Sequence, residues 1–187
     1  MNSRVHRLVI GIGLTLLAIS PACVSAGDGA TALPWTEQEL RETLTNGTKI
    51  VYSRSGDYPW GLEVGAGATH TFEVSEATQE SLFILNTWDD PEQGGFGNNS
   101  ATWSWEQAFF LNSYSVKGIE VIGEEQVETP AGTFDTVVVE VNKKVSEEWP
   151  KHTYWLITDQ PGVYAKFMEH QTDEASYVMV LQNVVRP

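Results

Sequence analysis

Few side chains in this sequence could carry chemistry, and their spacing is informative mainly for what it excludes. Beyond the first 26 residues, histidine occurs at His70, His152 and His170. No H-x-x-x-H or H-E-x-x-H spacing links them, so zinc binding would require the fold to bring three separate segments together. Asp89, Asp90 and Glu92 precede the glycine- and asparagine-rich run Gly94 to Asn99, an oxygen-rich set of the kind calcium prefers. No D-x-[DN]-x-[DN]-G register is present, and a solvated hairpin loop accounts for the same residues. A G-x-S-x-G elbow and a phosphate-binding glycine loop are also missing. The expectation is a non-enzymatic protein with no catalytic residues, no cofactor and no resident metal.

The aromatic residues point to binding. Seven tryptophans occur, at Trp35, Trp60, Trp88, Trp103, Trp105, Trp149 and Trp155. If Thr102 to Phe109 is a strand, Trp103 and Trp105 share one face. With Tyr154 and Trp155 they form the candidate ligand-binding set, able to line an apolar cavity or stack on flat rings. The competing account is that these rings simply fill the interior. Exposure in a concavity would favour binding, whereas full burial would favour filling.

These side chains need elements to hold them. Thr36 and Glu39 have the spacing of a capping box, Trp35 can staple onto Leu40, and Asn46-Gly47 provides a stop, which predicts one short helix. Packed on a sheet or plugging the end of a half-barrel, that helix would cover what the strands leave open. From Thr48 the pattern changes to period two. It predicts strands over 49–54, 69–75, 82–88, 102–109, 115–127, 135–141, 152–158, 163–170 and 176–185, separated by Gly, Pro, Asn and Asp. Asn46-Gly47-Thr48 and Asn98-Asn99-Ser100 read as turns. In the last strand Tyr177, Met179 and Leu181 face one way and Val178, Val180 and Val184 the other, which predicts cover on both faces. The fold class expected is mainly β, an antiparallel half-barrel or barrel with one short N-terminal helix.

The segment before this pattern reads as an address. Arg4 and Arg7 precede an apolar run from Leu8 to Ile19, and small residues follow. That is the layout of a secretory signal peptide. Twelve helical residues span about 18 Å, short of the roughly 30 Å hydrocarbon core. Val24-Ser25-Ala26 suits cleavage before Gly27, while Cys23, the sole cysteine, offers lipidation as the alternative. The domain plan is a signal peptide over 1–26, a short leader over 27–34 and one β-rich domain over 35–187. Cleavage before Gly27 would leave no cysteine and would take the formal charge from -14 to -16. So acidic a chain repels phosphate backbones and anionic headgroups, which excludes nucleic acid as an expected partner.

The most specific local pattern is Gly123-Glu124-Glu125-Gln126-Val127-Glu128-Thr129-Pro130-Ala131-Gly132-Thr133-Phe134. Pro130 presets a turn and Gly132 supplies a permissive position within it. This G-x-E-x-V-x-x-P-A-G-T-F run resembles one shared by bacterial exported proteins and lipoproteins of unknown function, including those called TapB-like. Those proteins often carry a later Tyr-Trp strand followed by Pro-Gly-Val, matched here by Tyr154-Trp155 and Pro161-Gly162-Val163. The resemblance implies a lipocalin-like or lipoprotein-carrier-like shape outside the cytosol and brings no catalytic set. The expected role is binding of an apolar or amphipathic small ligand in a concave sheet face. The alternative is a structural or protein-interaction module of the cell envelope with a filled core.

Overall fold

A computed structural model describes residues 33–57, 63–110, 116–143, 151–170 and 176–187. The expected signal peptide with Cys23, the leader up to residue 32, Trp60 and Trp149 lie outside them. The described residues form one antiparallel sheet of nine strands with two short helices. Helix α1 (Glu37–Thr43) is followed by β1 (Lys49–Gly56), β2 (Thr69–Ala77), β3 (Ser81–Asp90) and β4 (Gly95–Ser104). Helix α2 (Trp105–Ala108) leads to β5 (Val116–Thr129), β6 (Gly132–Lys143), β7 (Lys151–Ile157), β8 (Tyr164–His170) and β9 (Ser176–Val185). Among the described residues no helix is long and apolar enough to cross a membrane.

Strand order is β4-β3-β2-β1-β9-β8-β7-β6-β5, so two meanders meet where β1 pairs with β9. The sheet curls enough to bring β5 near β8 and β9, yet β4 and β5 remain unpaired with each other. The result is an open half-barrel. Alternation produces its core directly: Ile50, Tyr52, Phe72, Val74, Leu82 and Ile84 are all buried, while most of their strand neighbours are half-exposed or exposed. On β9 Met179 and Leu181 are buried and Val178 and Val180 half-buried on the other face, while a bulge against β1 between Leu181 and Asn183 turns Val184, opposite Ile50, back onto the core. The expectation of cover on both faces is therefore met on one face only.

Helix α1 closes one end. Its capping box is formed, with the Glu39 amide donating to Thr36 Oγ1 and the Thr36 amide donating to the Glu39 carboxylate. The backbone and hydroxyl bonds from Thr36 hold the Glu39 carboxyl below its ordinary pKa. Seven residues are too few for a self-supporting helix, so its position depends on packing. Trp35 Nε1 donates to the Ile157 carbonyl at 2.8 Å, and Leu40 and Leu44 are fully buried. Arg41 donates to the Gln79 carbonyl on the opposite wall. The helix thus bridges the β2–β3 turn and the β7–β8 connection. Gly162 is the contact point: at φ +80° it presents no Cβ to Leu44, whose side chain would lie 2.7 Å from one. Leu33, expected in the leader, also packs on this core.

Two local expectations are overturned. The run expected as a loop, including Asn98-Asn99-Ser100 expected as a turn, forms most of strand β4, and the turn is confined to 91–94. Gly and Asn are poor strand formers, but β3 offers a strongly patterned template, and the register from Asp90↔Gly95 to Ser81↔Ser104 is unbroken. The second concerns Trp105. The strand ends at Ser104, which caps α2 through a capping box with Gln107. Trp103 and Trp105 consequently do not share a strand face.

Candidate functional site

The concave face opens toward the end opposite α1 in a cavity of about 340 Å³. One wall comes from β2, β3 and β4, where Tyr52↔His70, His70↔Trp88 and Trp88↔Gly97 are in register, followed one step deeper by Phe72↔Asn86 and Asn86↔Asn99. The facing wall comes from β7, β8 and β9, where Tyr154↔Phe167↔Met179 and His152↔Glu169↔Tyr177 run in two parallel rows. Phe110, just after α2, packs on Tyr154 with ring centroids 5.0 Å apart. The floor is therefore aromatic and the lip polar.

The expected ligand-binding set divides. Trp103 and Tyr154 line this cavity. Trp105 lies instead at the closed end, under the Arg41 guanidinium at 4.9 Å, with its Nε1 donating to the Thr78 carbonyl. Trp155 follows Tyr154 in β7 and so faces the convex side, where Lys166 sits 4.5 Å above its ring. All four residues are buried, Trp155 least at 9%. They do not form one exposed stripe. The lining residues that the sequence pattern did not assign to this set are polar: His70, Asn86, His152, Glu169 and Tyr177. Their signal was their place on the inward phase of strands already recognised.

The aspartates serve a different purpose from ligation. Asp90 and Arg54 form an ion pair at 3.9 Å with side chains only 3% and 2% exposed. Asp90 also accepts from the amides of Gly65 and Gln93, at 3.1 Å each. Glu92 accepts from the Ala66 amide, and Asp89 is exposed on β3. Gly65 must be glycine here, because a Cβ would lie 2.3 Å from Asp90 Oδ1. Among the described residues no three His, Cys, Asp or Glu side chains converge as a metal site.

Burial keeps the tyrosines around the cavity uncharged. Burial pushes the Tyr52 and Tyr164 hydroxyls well above their ordinary pKa, and burial raises Tyr177 to about 12 against the opposing charge of Arg54. All three remain hydrogen-bond donors at neutral pH. His152 Nε2 lies 3.4 Å from Glu169 Oε2. His70 stacks on Phe72 with centroids 4.3 Å apart, and its pKa falls to about 4 through burial, then through the nearby Arg54 charge, opposed in part by Asn86.

This depression fixes a sign. Above pH 6.5 both folded and unfolded chains hold His70 neutral; between pH 6.5 and about 4 only the unfolded chain takes up the proton. His70 should therefore withdraw up to about 3 kcal/mol of stability as pH falls through that window. His70→Phe keeps the stack and removes the titration. Urea midpoints measured across the window should fall less steeply for this variant, and identical slopes would refute the assignment.

Trp103 Nε1 and His70 Nε2 are buried and find no hydrogen-bond partner among the described residues. Both belong to the lining of the same cavity. An unpaired buried donor is costly, which makes a polar atom of a bound molecule a natural counterpart.

No known family and no curated protein matches this sequence. Among solved structures it is similar to a candidate lipoprotein from Parabacteroides distasonis ATCC 8503, at 16% identity, covering 76% of this chain and 96% of that one, with a TM-score of 0.46. It is also similar to a candidate exported protein with a YmcC-like fold from Bacteroides fragilis NCTC 9343, at 15% identity, covering 76% and 97%, with a TM-score of 0.44.

Proposed function

We propose that this is an exported, non-enzymatic domain that holds one small amphipathic molecule in the concave face of its half-barrel. The apolar body of the ligand lies against Phe72, Phe110 and Phe167, and a hydrogen-bond acceptor reaches the Trp103 indole N–H. The observation that carries this reading is that N–H group: Trp103 is 3% exposed, lines the cavity and has no partner for Nε1 among the described residues. The cavity volume of about 340 Å³ falls at the small end of ligand sites. Export is supported by Arg4, Arg7, the apolar run and Val24-Ser25-Ala26, with attachment through Cys23 as the alternative. Intact mass of the protein from its native host separates these two fates.

Prodan is a suitable probe, being uncharged, aromatic and equipped with a carbonyl acceptor. Titration into the purified protein should give saturable blue-shifted emission. Trp103→Phe, which keeps an aromatic ring at the position but removes the donor, should weaken binding by about 2- to 10-fold. Absence of saturable binding, or equal affinity for both proteins, would overturn the reading. It would then favour a filled-core interaction module.

A further inference from the structure

We infer that strand β4 is a pairing edge through which two copies of this chain join their sheets. An open sheet has two edges, and here they are built differently. Strand β5 carries Glu120, Glu124, Glu125 and Glu128, and its register against β6 shifts twice, at Val116/Gly118 and Val121/Gly123. Charges and bulges of this kind block edge-to-edge pairing. Strand β4 has neither. Its ten residues, Gly95 to Ser104, include no Lys, Arg, Asp, Glu or Pro, and its register against β3 is continuous. Among the described residues β3 is its sole strand partner.

The strand is also kept level and accessible. At Gly97 the Trp88 indole lies directly against the backbone, where a Cβ would be 2.2 Å away, so the ring supports β4 from the concave side. Most of the strand is exposed, and Phe96, on the convex side, is 68% exposed. Such an edge is a template for another strand.

The uncharged, unbroken edge matches itself, which makes a second copy the occupant. Two chains of formal charge -14 repel through most of their surfaces, and a strip ten residues long without a charge is where they can approach. A basic partner would gain more at the acidic β5 edge. Antiparallel pairing of β4 with itself about a two-fold axis gives an isologous interface. It places Asn98, Asn99 and Ser100 near the axis, where short polar side chains pair across strands, and lays Phe96 along the partner's strand.

Sedimentation equilibrium should show the mass of the purified protein rising to twice the monomer value at high micromolar concentration. Asn98→Lys/Ser100→Lys should restore the monomer mass with an unchanged far-UV spectrum, while Ile119→Lys/Ile122→Lys on β5 should leave the dimer intact. Hydrogen exchange on the unmodified protein tests the same point without a variant: amides of residues 95–104 should slow as concentration rises. A monomer at every concentration, a dimer that survives the β4 lysines, or protection that rises elsewhere but not in β4 would each overturn the inference.

Discussion

Arg54→Ala is expected to cost about 3–5 kcal/mol of folding stability, the penalty of leaving a buried charge without its counter-ion. Asp90 would remain in the wall of the half-barrel, 3% exposed, with the Gly65 and Gln93 amides still donating to it but the guanidinium gone. Asp90→Asn should also destabilise from the other side, because it removes the buried carboxylate 3.9 Å from the guanidinium. The double variant Arg54→Met/Asp90→Asn should recover most of the loss, since it removes both charges while keeping an acceptor for the amides. Urea unfolding of these proteins together with the single variant Arg54→Met, which closes the cycle with Asp90→Asn, yields the coupling energy. A single-variant loss below about 1 kcal/mol would mean that solvent reaches the pair and screens it.

Trp35→Ala should be nearly as costly, about 3–5 kcal/mol, for a different reason. The indole fills space beneath α1 and its N–H is tied to the Ile157 carbonyl, so one residue joins the helix to β7. Trp35→Phe removes the hydrogen bond and part of the ring volume and should cost about 1–3 kcal/mol, the Ile157 carbonyl keeping the Gln160 amide at 3.3 Å as its donor. Because α1 depends on its packing, its amides and those around Gly162 should exchange fastest in the alanine variant. Exchange that increased uniformly across the sheet instead would show that the helix and the strands unfold as one unit.

These two sites differ in how visible they were in the sequence. The capping box of Thr36 and Glu39, the stapling Trp35 and the stop at Asn46-Gly47 are local signals, and they place α1 at 37–43. Period two located most strands, and β9 matches its expected bounds of 176–185. The turn at Pro130-Ala131 closes as its residues suggest, with Thr129↔Gly132 paired and Gly132 at φ +140°. Strand β4 was hidden because its glycines and asparagines carry no strand signal of their own; β3 imposes the ladder. Trp105 was misplaced although Ser104 and Gln107 had the spacing of a capping box, since the alternation of Trp103 and Trp105 outweighed it. The pairing of Arg54 with Asp90 joins β1 to β3 across β2, and no sequence spacing encodes such a meeting. The same is true of His152 and Glu169. Strand phase predicts which side chains point inward, but curvature decides which of them meet.

The adjacency of β1 and β9 at the middle of the sheet has a consequence for how the molecule comes into being. Each meander is a ribbon of neighbours in sequence, able to zip up as it emerges. The seam between them waits for the final strand to be made. A ribosome or translocation channel therefore delivers two half-finished ribbons, and the C-terminal strand acts as a keystone. Removing it would leave the ribbons without a shared ladder, held by α1 and the link after β4, and opening the chain instead between β4 and β5, with its two termini linked, should yield a rearranged gene product of the same shape.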